Sequence, residues 1–182
     1  PADKIRRYKY NAVIDGDAYR RLQDNIITAK GIGKCVHQTR YSVTYNDGYF
    51  VSSAIFTDVP HDHPIVAEEI FGPILFVFFA ESLDVAIDMA GVYPHITSGI
   101  YSLLESEIDQ FVSGMMRRGS GNIYVNRAIT GSMVGRNPFG GRRKSGSGLK
   151  TGIPERLNFF LDEVTVTRNY LSQGILVRDK KD

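Results

Sequence analysis

Glu68-Glu69-Ile70-Phe71-Gly72-Pro73-Ile74-Leu75-Phe76-Val77-Phe78-Phe79-Ala80 is the stretch on which the reading of the fold turns. Its second half, residues 74–80, is β-rich and apolar without a break, the pattern of a strand covered on both faces and central to a sheet. The run is far shorter than the roughly 20 apolar residues that cross a bilayer, so it is core rather than a membrane span. Its first half leads a carboxylate into that strand. Taken alone, Glu69 is either a loop carboxylate at the mouth of a buried strand or an acceptor placed to serve two donors at once. Phe71 follows two residues on, toward the same side of an extended segment. Gly72-Pro73 would set the turn that aims both.

Around this stretch, strand and helix patterns alternate. Asp15 can cap a helix running to about Lys30, with Ala18, Leu22 and Ile26 on one face and Gly31 and Gly33 to stop it. Residues 49–56 read as a strand. Ser82 can cap a helix to about Gly91, and residues 98–103 read as a strand. Ser106 with Asp109 resembles a capping box before a helix ending near Arg117. Residues 122–125 form a short strand, and the Gly-dense residues 134–152 an ordered loop. Residues 157–171 end in Val164, Thr165, Val166 and Thr167, an alternation typical of a strand, and from Gln173 a poorly ordered tail is expected. No repeat or low-complexity linker interrupts the series. The expectation is an α/β domain of three layers, a mainly parallel sheet flanked by helices.

Composition excludes several classes. The 182 residues suit one domain, with or without a tail, and 42% hydrophobic with 23% charged residues is enough for a sizeable core. Basic residues cluster at Arg142-Arg143-Lys144 and Lys180-Lys181 but form no stripe interleaved with aromatics, which argues against nucleic acid. The polar start Pro1-Ala2-Asp3-Lys4 is no signal peptide. A leading Pro is what trimming of an initiator Met leaves, as expected of a natural start. The single cysteine cannot form an internal disulfide, so a reducing cytoplasm is the expected location, with no membrane partner.

Glu68 to Pro73, taken with Asn137-Pro138-Phe139-Gly140-Gly141, resembles the two signatures of the aldehyde dehydrogenase superfamily, and the likeness runs over residues 11–170. Val13-Ile14-Asp15, Gly48-Tyr49-Phe50-Val51, Asn122-Ile123-Tyr124-Val125-Asn126 and Ser145-Gly146 also fit it. Asn126-Arg127-Ala128-Ile129-Thr130-Gly131-Ser132-Met133-Val134-Gly135 is most similar to the 1-pyrroline-5-carboxylate (glutamate semialdehyde) dehydrogenase branch. The resemblance implies that Glu69 accepts hydrogen bonds from ribose hydroxyls and that Phe71 packs against nicotinamide. It also implies that Gly131 and Ser132 anchor a substrate carboxylate through backbone N–H groups, and that Phe139 walls the substrate tunnel. The bland alternative for residues 126–141 is a glycine-rich structural loop. The resemblance further implies that residues 162–170 add a strand to a neighbouring subunit, giving a homo-oligomer.

The departures are as telling. The family has Gly-Pro where this chain has Asn11-Ala12. Its nucleophilic cysteine, general base, oxyanion asparagine and Rossmann glycines would lie upstream, and only 67 residues precede Glu68. Cys35 stands 34 residues before Glu69, after the helix that should follow the nucleophile, so it reads as a small core or strand residue. No catalytic residue is assigned. His61-Asp62-His63 lacks further ligands at useful spacing and reads as a solvated turn, not a metal pair. Gly146-Ser147-Gly148-Leu149-Lys150-Thr151 fails both nucleotide-loop templates. Two readings remain. In one, this chain is half of a split NAD(P)-dependent aldehyde dehydrogenase, inactive alone. A separate chain would carry the cofactor domain and nucleophile for thiolate attack, hydride transfer and thioester hydrolysis. In the other, it is a non-enzymatic oligomeric remnant. NAD(P) is expected only if a cofactor domain complements the chain, and none on the isolated chain.

Overall fold

The computed structural model describes residues 11–39, 48–93 and 95–168. It divides into two compact units, one of residues 1–94 with 102–118, the other of 95–101 with 119–182.

In the first unit, helix α1 (Gly16–Ile32) begins where the sequence places it. The Asp15 carboxylate accepts the Ala18 N–H at 2.7 Å, satisfying one of the orphan donors of the first turn, and Gly33 ends the helix by donating to Ala29. Leu22, Ile26 and Ala29 recur at helical spacing and are buried on one face. They meet Val51, Ala54, Phe56, Val59 and Ile65, which together form the core of this unit. Each large side chain fully buried here contributes about 1.5–3 kcal/mol.

That face lies on a three-stranded sheet ordered β1 (Lys34–Gln38), β2 (Ala54–Thr57), β3 (Ile74–Phe76). β1 pairs antiparallel with β2, and β2 pairs parallel with β3. β2 is central, and its Ala54 and Phe56 are the buried pair of an alternating pattern. The expected strand 49–56 is thus shortened to its end. Residues 48–53 are held instead by separate bonds, among them Val13 N–H to Tyr49 O and Thr39 N–H to Ser53 O. The stretch 74–80 needs the larger correction. It is a three-residue edge strand of this sheet, not its centre, and Leu75 and Phe79 are 54% and 82% exposed. Among the described residues this unit supplies no strand to its far side, so the apolar run is only partly covered.

Short helix α2 (Pro64–Ala67) starts at His63, whose Nδ1 accepts the Ile65 N–H. Helix α3 (Leu83–Gly91) is capped by Ser82 as expected, its hydroxyl accepting from Val85 N–H. Helix α4 (Glu105–Arg117) packs against α3, with Ile87, Phe111 and Met115 buried, and Arg118 paired with Asp88. The capping box at Ser106 does not form. Ser106 lies inside the first turn, and the upstream Ser102 hydroxyl takes the end of the helix by accepting Leu104 N–H and donating to Glu107.

In the second unit, β4 (Thr97–Ile100) and β5 (Asn122–Val125) form a parallel pair in register Thr97–Asn122 to Ile100–Val125. Two of the three ladders in the described residues are therefore parallel, and the fold is α/β with a mainly parallel sheet content. Residues 134–152 are an ordered loop with a single 3-10 turn, Arg143–Ser145, and Pro154–Phe160 forms another. Residues 161–168 form no ladder with any other described residue, and Val164 and Val166 are 81% and 71% exposed. The rest of the expected 162–170 strand and the tail from Gln173 lie outside the described residues.

Asp15→Ala should lower stability by about 0.5–2 kcal/mol in chemical denaturation, while Asp15→Asn, which keeps an acceptor, should restore most of the loss. Equal stability of the alanine variant and the parent would show that the cap contributes nothing.

Candidate functional site

The loop between α2 and β3 carries Glu69 and Phe71, and the core holds it from beneath. Arg21, on the exposed side of α1, donates its guanidinium to Ile70 O. A Cβ on residue 72 would stand 2.2 Å from Leu22 Cδ2, so only glycine lets the loop lie this close to a fully buried leucine. Pro73 O then accepts Ala54 N–H at 3.0 Å, and the chain enters β3. Between these anchors Phe71 adopts φ +53°, a left-handed conformation unusual for a bulky residue, and its ring is 79% exposed. Glu69 is exposed beside it. An exposed apolar ring and a carboxylate able to accept from two hydroxyls suit the ribose–nicotinamide end of a dinucleotide.

The second group of expected residues sits beyond β5. Gly131 has φ +86°, a region that favours glycine, and begins a turn whose next residue, Ser132, shares a hydrogen bond with the buried Tyr124 hydroxyl at 2.9 Å. Phe139 is half-buried and joined to Thr151 in both directions, Phe139 N–H to Thr151 O at 3.2 Å and Thr151 N–H to Phe139 O at 2.8 Å. The arm that carries it is tied to β5 by a polar node. Asn122 donates to Pro138 O at 3.0 Å and accepts Gly140 N–H at 3.3 Å. The Lys150 ammonium donates to Gly140 O at 2.7 Å, Asn122 Oδ1 at 3.1 Å and Gly121 O. Burial, and after it the Arg142 charge, lowers the Lys150 pKa below the ordinary lysine value.

Glu69 and Phe71 thus share one loop of the first unit, and Gly131 and Ser132 share one turn of the second, with Phe139 on the adjoining arm. The supporting residues Arg21 and Lys150 carry no sequence signal that separates them from ordinary surface residues, because the groups they bond lie far from them in sequence. Cys35 lies on β1, half-buried against the core, with its thiol 3.5 Å from His37 O. His61 packs against the Phe78 and Tyr93 rings, and its Nε2 lies 3.2 Å from Met89 O. Among the described residues there is no group of three His, Cys, Asp or Glu able to hold a metal, and no helix long and apolar enough to cross a membrane.

Comparison with known proteins shows the family and the fold. The model of the aldehyde dehydrogenase family matches residues 2–166. The 1-pyrroline-5-carboxylate dehydrogenase of Staphylococcus epidermidis is 29% identical over 158 residues, which is 87% of this chain and 30% of that protein. The human mitochondrial delta-1-pyrroline-5-carboxylate dehydrogenase is 32% identical, over 85% of this chain and 28% of its own length. Among solved structures, proline utilization A of Bdellovibrio bacteriovorus, inactivated by N-propargylglycine, superposes with a TM-score of 0.81 at 36% identity, covering 92% of this chain and 17% of that one. The Thermus 1-pyrroline-5-carboxylate dehydrogenase with bound NAD gives 0.75 at 34% identity, over 83% of this chain and 28% of that one. The chain spans less than a third of the length of these relatives.

Gly72→Ala should destabilise the fold by about 1–3 kcal/mol through overpacking against Leu22. A cycle with Leu22→Ala should show strong non-additivity, the alanine at 72 costing far less once the leucine is gone. Strictly additive losses would mean that the two residues do not meet.

Proposed function

As this chain belongs to the aldehyde dehydrogenase family, we propose that it is the C-terminal part of a catalytic domain of the 1-pyrroline-5-carboxylate dehydrogenase type. The observation that carries the reading is the loop of Glu69 and Phe71, with its exposed ring in a left-handed conformation anchored by Arg21, Leu22 and Ala54. In this reading the Glu69 carboxylate accepts the ribose hydroxyls of NAD(P), and Phe71 offers a flat apolar surface to the nicotinamide. The cofactor, when bound, supplies the hydride acceptor. Gly131 and Ser132 orient the aldehyde by its distal carboxylate, with Phe139 beside it. The nucleophilic thiolate, the general base and most of the cofactor site come from polypeptide outside this sequence, continuous with it or a separate chain. A cytoplasmic location fits such an enzyme.

The isolated chain should give no measurable oxidation of glutamate semialdehyde with NAD, because the covalent step and its proton transfer have no group to perform them. Its affinity for NAD by calorimetry should be weaker than micromolar. Turnover abolished by Cys35→Ser would overturn this reading, as it would make Cys35 the nucleophile.

We also propose self-association through residues 162–170. The described part of this segment is exposed, apolar at alternate positions and paired with no other described residue, a form suited to addition at the sheet edge of a second copy. Removal of residues 162–182 should convert the assembly to monomer or aggregate in light scattering. An intact chain that stays monomeric at high concentration would contradict it.

A further inference from the structure

Arg127 stands one residue past the strand-end Asn126 and was not among the residues that the sequence singles out. Its guanidinium carbon lies 5.4 Å from the centroid of the Tyr124 ring, and its Nη2 donates to Thr130 O at 3.3 Å. A Cβ placed on Gly131 would stand 3.6 Å from the same nitrogen. Arg127 is exposed, yet its planar head is fixed on two sides, by an aromatic face and by the turn itself. Thr130 takes one of its five N–H donors. The Gly131 and Ser132 N–H groups have no protein acceptor among the described residues. Tyr124 serves both sides of this corner. Its ring carries the guanidinium, and its hydroxyl meets Ser132 Oγ at 2.9 Å. When Tyr124 donates in that pair, the Ser132 hydroxyl hydrogen is left for a ligand.

We infer that Arg127, seated on the Tyr124 ring against the Thr130–Gly131 turn, is a specificity-determining residue that supplies the positive charge of a carboxylate-binding corner. The donors of that corner are the Gly131 and Ser132 N–H groups and the Ser132 hydroxyl. The inference rests on the reading of this turn as the carboxylate anchor and adds to it the charge that backbone donors lack. A guanidinium recognises a carboxylate by two parallel N–H bonds, so the corner selects aldehydes with an acidic far end over neutral ones of the same length. Tyr124 is a positioning residue, acting through Arg127 and Ser132.

The test is a titration of the 15N-labelled full chain with glutarate, a five-carbon dicarboxylate, beside 1,5-pentanediol as its neutral counterpart. Glutarate should shift the Gly131 and Ser132 amide signals saturably, more weakly as salt is added, and pentanediol should not. Arg127→Gln should weaken glutarate about tenfold, as loss of a charge-assisted bond does, and Arg127→Lys should recover only part of it. Tyr124→Phe, which keeps the stack and removes the hydroxyl, should cut the Ser132 response more than the Gly131 response. The remaining amide signals report whether each variant is folded. Equal glutarate affinity in the parent and Arg127→Gln, with shifts still at Gly131 and Ser132, would overturn the role of Arg127 and leave the anchor reading intact. No shift at those amides in the parent would overturn both. Equal shifts from pentanediol would show that charge is not what the corner reads.

Discussion

The contact between Leu22 and Gly72 sets the terms for the first unit. Leu22 is fully buried on the inner face of α1, and the backbone at residue 72 rests directly on its methyl groups. A side chain at position 72 would lift the loop away from the helix. Held down there, the chain has few ways to reach β3, and the positive φ at Phe71 is the local conformation that makes the connection. Strain of this kind, of order 1–3 kcal/mol, persists only where the surroundings over-determine it. Arg21 on one side and the Ala54–Pro73 hydrogen bond on the other provide that surrounding. The same constraint turns the Phe71 ring outward.

The second unit solves a comparable problem with polar atoms. The residues proposed to hold the substrate, Gly131, Ser132 and Phe139, lie on long, glycine-dense connections. A Cβ at Gly121 would lie 2.3 Å from Gly140 O, so the arm that carries Phe139 passes against the start of β5 at backbone distance. Asn122 and Lys150 then satisfy the carbonyls brought together there. Desolvation of the ammonium disfavours its charged form, which is why the Lys150 pKa falls even among three acceptors. The cost is borne at a point where it fixes three stretches of chain at once.

What could be read from the sequence was mostly local. Asp15 and Ser82 cap the helices they were expected to cap because an Asx or Ser hydrogen bond spans only three residues. Residues 122–125 were placed to the residue. The motif residues were legible as strings with a known resemblance, not as geometry. Where the reading ran out, distant contacts decided. Residues 74–80 have no period, so an unbroken apolar run could not tell a central strand from an edge strand. β1, Lys-Cys-Val-His-Gln, is mostly polar and gave no strand signal, since its antiparallel pairing with β2 rather than its own propensity makes it a strand. At the start of α4 the sequence pointed to Ser106 with Asp109, whereas the hydroxyl that bonds there belongs to Ser102, three residues before the helix begins at Glu105. Arg127 and Tyr124 could be quoted within a motif, but the string does not show that the guanidinium lies over the ring.

The central claim is that residues 68–73 form the cofactor-facing edge of this chain. It is tested most directly by titrating the 15N-labelled protein with nicotinamide mononucleotide, the half of NAD that carries both nicotinamide and its ribose. The account predicts weak, saturable shifts confined to the amides of Glu69, Ile70 and Phe71 and their immediate neighbours. It predicts that Glu69→Ala abolishes them while the rest of the spectrum is unchanged. Shifts centred elsewhere in the chain, or none at the highest soluble concentration, would contradict it.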